Sequence, residues 1–451
     1  MRAVVLLLAV GLAGCAVGPD YNRPDVALSA RFVGGDATSV GAVATEPWWQ
    51  SYRDPLLNDL VTRGLAQNLD VIAATERIGE AAAALRATGG NAALSGGLDV
   101  NSTRSGGDGI ATTTTDTAQL GAAFVFDLFG GIRRERGGAE ADLVSARAEV
   151  ETTRLAWLAE LVAAYSDARY YQEALALARQ TVSAREETVA ITRDQVAAGA
   201  ATDYERAEAE ALLETARAAV PQYAAGFDAN VFAIATLLNE PAGPIRASMQ
   251  RGAPQLRPPP GSKTGVPADL LRNRPDIRSA EADLASAVAG VGMAEADLYP
   301  ALTLSGTISR TDGTGAWSFG PGLSLPLFNQ GALRASRDAA ASRARQAEIA
   351  WRAAILAAVE DVQVSQSNLS RYRQRAAALR RAAAKYGEAL TLAQDNYRNG
   401  ASTLLDLLET DRNTASARIS AASAVNDAAK AWATLKIATG AGAAYAAGRA
   451  E

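Results

Sequence analysis

The chain has 451 residues, with 44 basic side chains against 49 acidic ones, no histidine and a single cysteine. Charge this close to balance does not argue for nucleic acid as a partner. The lack of histidine removes His-based metal sites and His-dependent triads, and one cysteine forbids an intrachain disulfide. Abundant alanine and glycine with only 6% aromatics suits close-packed helices better than a catalytic core, so no catalytic residue, metal or cofactor is expected.

In chain order, Met1 and Arg2 precede the apolar run "AVVLLLAVGLA". It is too short to span a bilayer and right for a signal-peptide core, which makes 1–14 a signal peptide. Leu12, Ala13 and Gly14 before Cys15 resemble the bacterial lipobox, so Cys15 is the expected lipid-attachment site; the plainer alternative is an ordinary signal peptide with a cysteine nearby. Ala16 stands where an aspartate would signal inner-membrane retention, and by that resemblance the destination is the outer membrane. Residues 15–54 form an arm rich in Gly, Ala, Ser and Pro.

Two similar halves follow. The first, 55–242, reads as a helix, strands near 92–104 and 117–129, a long helix 131–198 and a helix 201–240. Residues 243–266 form a linker; seven prolines between Pro241 and Pro267 exclude a continuous helix or central strand. The second half, 267–440, repeats the order: a helix, strands near 300–310 and 316–328, a long helix 331–399 and a helix 402–438, with a tail at 441–451. "ALSG" (93–96) answers "TLSG" (303–306), "DLFGG" answers "PLFNQG", and "AAGAATDYERAEAE" answers "RNGASTLLDLLETD". Their common order points to internal duplication.

The long helices reach roughly 90 and 100 Å at the usual rise per residue. Leu143, Val150, Trp157, Ala164 and Tyr171 keep a seven-residue spacing. Leu175, Val182, Val189 and Val196 continue it after a jump of four. In the second long helix the series is Ile355, Val362, Leu369, Ala376, Ala383, Leu390 and Tyr397. Sustained heptads with a stutter predict coiled-coil packing. The strands alternate: Trp317, Phe319, Pro321, Leu323, Leu325 and Leu327 share one face, as do Leu120, Ala122, Phe124, Phe126 and Leu128. Each is as long as a tilted membrane strand. Four strands cannot close a barrel, and open edges are not tolerated in hydrocarbon, so several chains must pool them. A half-buried soluble sheet would alternate in the same way.

With "CAVGPDYNRP" (15–24), "PWWQSYRDPLLNDLVTRGLAQNLDV" (47–71), "LLRNRPDIRSAEADL" (270–284) and "YPALTLSG" in view, nearly the whole chain resembles the TolC family of outer-membrane efflux channels, in its NodT-type lipoprotein branch. The resemblance implies a mainly α fold with membrane β: a long coiled-coil helical barrel continuous with a transmembrane β-barrel, four strands per chain and 12 in a homotrimer. It further implies a periplasmic adaptor and an inner-membrane RND transporter as partners, contact with outer-membrane lipid, and export of small molecules. The turns at Gly199 and Gly400 are expected as helix C-caps with Thr202 and Thr403 starting the next helices; by resemblance the same four residues are adaptor contacts. Glu205 with Glu208, and Asp406 with Glu409, share helix faces at i, i+3, either as ordinary solvated faces or as an acidic constriction. The family's closing ring, an acid with a leucine four before and an arginine three after, matches Leu405, Glu409 and Arg412, with Glu in place of the related Asp. Against this stand a lipid-anchored structural coiled coil, a duct for secreted protein or oligosaccharide, and a carboxylate-based periplasmic hydrolase.

Overall fold

Leu98, Leu120, Ile308 and Trp317 stand side by side across one row of a four-stranded antiparallel sheet, a consequence of register rather than of chain proximity. The computed structural model describes residues 16–445 apart from 36 and 262; Cys15, the signal-peptide segment 1–14 and the tail from 446 onward lie outside the described residues. The strands are β1 (Leu94–Gly107), β2 (Ile110–Phe126), β3 (Ala301–Thr311) and β4 (Thr314–Ser324), in that order across the sheet. Apart from a single helical turn at Gly90–Ala93, the helices are α1 (Pro55–Gln67), α2 (Leu69–Ala87), α3 (Gly131–Ala197), α4 (Asp203–Leu237), α5 (Ala242–Gln250), α6 (Pro267–Asn273), α7 (Pro275–Ala296), α8 (Gln330–Arg398) and α9 (Leu404–Ala438). Contacts divide the chain into two units. The first holds residues up to Ala27, Ala73–Val150 and Asp276–Ile355; the second holds Leu28–Ile72, Glu151–Pro275 and Leu356 onward.

The first unit contains the sheet. Both hairpins turn at Asp-Gly: in the second, Asp312 (φ 46°) and Gly313 (85°) form the left-handed pair of a tight two-residue turn, and in the first only Gly109 (79°) is left-handed, beside a bulge at Ser105–Gly107. Because side chains alternate, the register sorts them into two faces. Leu94, Phe124, Leu304 and Pro321 form a second apolar row; Gly96, Ala122, Gly306 and Phe319 form the row between. The opposite face carries Asp99, Gln119, Ser309 and Ala316, then Asn101, Thr117, Thr311 and Thr314. The apolar face is bare: Trp317 is 80% exposed, Phe319 70% and Leu98 67%. β4 stops at Ser324, before the expected 328, because Pro326 cannot donate to a ladder. β1 runs on to Gly107 because threonines 113 to 115 of β2 continue to pair with it.

The start of the arm is tied into this same unit. Val17 N–H donates to the Phe129 carbonyl at 3.0 Å, and the Arg134 guanidinium donates to the carbonyls of Val17 and Gly18 and pairs with Asp20 at 2.8 Å. Arg23 pairs with Glu281 on α7 at 2.9 Å.

The second unit is helical, and its core follows the heptads. Val362, Leu369, Ala376, Leu390 and Tyr397 are buried along α8, and Trp157, Ala164 and Val189 along α3. "PWWQSYRDP" folds as a 3-10 turn (Trp48–Tyr52) and the cap of α1. Trp48 and Tyr52 pack edge-on against Trp432, and Tyr52 Oη donates to the Ala429 carbonyl at 2.7 Å. Asp54 caps α1 through the backbone N–H groups of Leu56 and Leu57 and accepts from buried Tyr165 Oη at 2.6 Å. The Pro-rich linker opens with a short helix, α5, which ends at Gln250 so that no continuous helix crosses it. Pro241 is its N-cap and Pro244 falls in the first turn, where a missing N–H has no helical partner to lose.

Candidate functional site

Where α3 meets α4 and α8 meets α9, the same turn is built twice. Gly199 and Gly400 adopt φ of 74° and 71°, left-handed values that glycine reaches without a Cβ penalty. Gly199 N–H donates to Val196 O at 2.9 Å and Ala200 N–H to Gln195 O at 2.8 Å. Gly400 N–H donates to Tyr397 O at 3.1 Å and Ala401 N–H to Asn396 O at 2.7 Å. This paired closure is the Schellman end of a helix.

Three residues later each following helix begins in a capping box. Thr202 Oγ1 accepts from Glu205 N–H, and the Glu205 carboxylate accepts from Thr202 N–H at 2.7 Å and from the Thr202 hydroxyl at 2.9 Å. Thr403 and Asp406 repeat this at 3.1 and 2.6 Å. Glu205 and Asp406 therefore have a local structural role at the helix starts. The Thr202 backbone N–H, then its hydroxyl, holds Glu205 below the usual carboxylate range; for Asp406 the Thr403 hydroxyl comes first and its N–H second. A folded value below the unfolded one means the stabilisation is complete above about pH 4 and is lost as pH falls through the folded value. Lowering the pH from about 6 to about 3 is thus expected to loosen the first turns of α4 and α9. Hydrogen exchange at the Glu205 and Asp406 amides, corrected for intrinsic rate, reads this directly. Equal protection at both pH values would show that the boxes contribute nothing.

Beyond the cap, α9 has two stripes. Leu404, Leu407, Leu408, Asp411 and Thr414 are buried; the leucines pack with Val189 of α3, Ala209 and Leu213 of α4, and Leu390 and Tyr397 of α8. Leu405, Glu409 and Arg412 lie on the opposite, exposed stripe at i, i+4 and i+7. Leu405 is 61% exposed. Glu409 and Arg412 make no hydrogen bond or ion pair among the described residues, and neither does half-buried Glu208. The chain thus brings an apolar, an acidic and a basic side chain to one exposed helix face beside a hydrogen-bonded turn.

The sequence reading missed what holds that face in place. Arg185 on α3 pairs with Asp411 at 2.7 Å, both nearly buried, and also donates to the Leu212 carbonyl of α4 at 2.7 Å. Tyr397 Oη donates to the Gln195 side chain and sits 3.3 Å from Thr192 Oγ1, while Arg398 pairs with Glu187. Arg193–Glu210 and Arg217–Glu186 join α3 to α4. One signal was available: Asp411 continues the apolar spacing of Leu404, Leu407 and Leu408, and an acid on a core stripe calls for a buried cation.

Comparison with known proteins matches the outer membrane efflux protein family over residues 60–240 and 266–441. Nodulation protein T of Rhizobium leguminosarum bv. trifolii is 39% identical over 96% of this chain and 95% of its own length. The toluene efflux pump outer membrane protein TtgC of Pseudomonas putida is 29% identical over 93% and 91%. Among solved structures, the outer-membrane channel OprN superposes with a TM-score of 0.84 at 28% identity, covering 95% of this chain and all of that one.

Proposed function

This chain belongs to the outer membrane efflux protein family, and from that premise we propose that it is the outer-membrane duct of a tripartite system, a passive exit through which small molecules leave. The observation that carries this reading is the sheet. One face is apolar and exposed, the other polar, and its first and last strands, β1 and β4, have unpaired outer edges. In hydrocarbon every edge must be paired, and closure between copies is the solution for a chain with too few strands. Pairing β4 of one copy with β1 of the next in a homotrimer gives a 12-strand barrel with Trp317 and Phe319 toward lipid and Asp99, Gln119 and Thr307 toward the lumen.

The remaining roles follow from this. Ala16 lies against Gly130, and Val17 is bonded to Phe129 just past the end of β2, so a lipid on Cys15 would enter the membrane beside the strands it accompanies. The turns carrying Gly199, Thr202, Gly400 and Thr403 meet a periplasmic adaptor, which couples the duct to an inner-membrane transporter of the RND type. Glu409, framed by Leu405 and Arg412, sets the closed aperture. Relatives named for toluene efflux and for pyoverdine export favour small molecules over secreted protein or oligosaccharide as cargo. A lipid-anchored spacer would have no use for the bare apolar sheet face.

The deciding measurement is the native mass of the detergent-extracted protein. A trimer is expected. A stable monomer would leave both sheet edges unpaired and end the barrel reading.

A further inference from the structure

Between Asp361 and Glu388, α8 carries Arg371, Arg373, Arg375, Arg380, Arg381 and Lys385 and no acid at all, although the whole chain is net negative. The linker from Pro241 to Ala268 is equally free of acids and adds Arg246, Arg251, Arg257 and Lys263. The two segments are laced together: the Arg373 guanidinium donates to the Pro259 carbonyl at 2.6 Å and to the Gly261 carbonyl at 3.3 Å. Some of these cations are already paired, Arg375 with Asp427, Arg246 with Asp228 and Lys385 with Glu388.

Others converge on a groove of about 310 Å³ whose polar lining is Glu173, Gln255, Arg257, Arg380 and Arg418. Three guanidinium groups face one carboxylate there, and none of the three has an ion pair among the described residues. In the same groove the Gln255 side-chain oxygen is buried with no hydrogen-bond partner. Guanidinium groups call for carboxylate or phosphate, but an orphaned amide oxygen calls for an N–H or O–H donor. Inorganic phosphate, which keeps an O–H at neutral pH, can meet both demands only through one compact centre. A peptide with free carboxylates meets them with separate groups, a carboxylate for the guanidinium groups and an amide N–H for the oxygen.

We infer that this groove docks the carboxylate-bearing peptides of the cell-wall polymer. The inference rests on the duct reading, which puts these helices in the periplasm. A body that crosses the periplasm must pass through the wall, whose short peptides repeat along the glycan and carry free carboxylates beside amide N–H groups. The basic run on α8 ends at Lys385, about 22 Å of helix before Gly400, so it is separate from the turns assigned to the adaptor. Three copies around one axis would present three such grooves to a repeating polymer, which multiplies a weak single contact.

The test is sedimentation of the full-length, detergent-purified protein with isolated cell-wall sacculi. Binding is expected to intact sacculi, to be absent from sacculi stripped of their peptides by an amidase, and to fade at about 0.5 M salt. The double variant Arg257→Glu/Arg380→Glu should bind about tenfold more weakly. Gln255→Leu, which removes the orphan acceptor together with the amide NH2, should bind several-fold more weakly, and Arg345→Glu, outside the groove, should match the parent. Equal binding to bare glycan, or unchanged binding by the double variant, overturns the inference. Retention on immobilised polyglutamate with none on sacculi overturns it in favour of an acidic protein segment. Native mass and bilayer conductance are recorded on the same samples: a conducting trimer that ignores sacculi sinks this inference alone, whereas a monomer removes the duct reading beneath it.

Discussion

Replacing Arg185 with alanine is expected to destabilise the packed ends of α3, α4 and α9 by about 3–5 kcal/mol, the cost of breaking a buried ion pair from one side. The Arg185 side chain reaches Asp411 on α9 and the Leu212 carbonyl on α4; its loss strands the carboxylate beside the leucine core, while the carbonyl keeps its helical N–H partner. The cost comes mostly from the stranded acid, which makes a specific second expectation. Arg185→Met combined with Asp411→Leu should recover most of the loss, because an apolar pair of similar volume owes no desolvation. Hydrogen exchange across Leu404–Thr414, together with the thermal midpoint of the purified protein, would give both numbers. A double variant as unstable as Arg185→Ala would mean that the arginine acts through its aliphatic stem and not through its charge.

That pair also marks where sequence reading stops. The strands were legible because alternation is a short-range signal: Trp317, Phe319 and Leu323 declare a face without reference to any partner. The heptads of α8 were legible for the same reason, and Val362, Leu369, Ala376 and Leu390 are buried as the spacing predicts. The turns at Gly199 and Gly400 could be read because a glycine followed three residues later by threonine is a local stop and start. Arg185 and Asp411 are far apart in the chain and look alike whether solvated or buried; only the packing of α3 against α9 pairs them. Glu205 and Asp406 were visible as acids, but their capping role competes with an i, i+3 acidic face. The choice depends on the backbone geometry of the threonine before them. The short helix α5 was hidden for the opposite reason, since prolines crowd the linker and only their position in the first turn makes them compatible with a helix.

Glu409 is the residue whose replacement should change transport most. On one chain it stands on an exposed stripe between Leu405 and Arg412, held there because the other side of α9 is fixed by Leu404, Leu407, Leu408 and the Arg185–Asp411 pair. In the proposed trimer, three copies of that stripe face one axis, and three carboxylates at a constriction attract cations and repel anions. Glu409→Ala in a planar bilayer is expected to raise single-channel conductance and to reduce the cation-over-anion permeability ratio by about tenfold at low salt, with the difference shrinking as salt screens the ring. Glu409→Asp keeps the charge on a shorter side chain and should retain selectivity while widening the aperture. Glu208, the equivalent acid in the first repeat, provides the comparison, since the ring requires Leu405 and Arg412 beside it and the first repeat has Tyr204 and Ala211 at those positions. Glu208→Ala should therefore leave selectivity nearly unchanged. If both alanine variants conduct and select as the parent does, the constriction lies elsewhere on the helices and Glu409 is an ordinary surface acid.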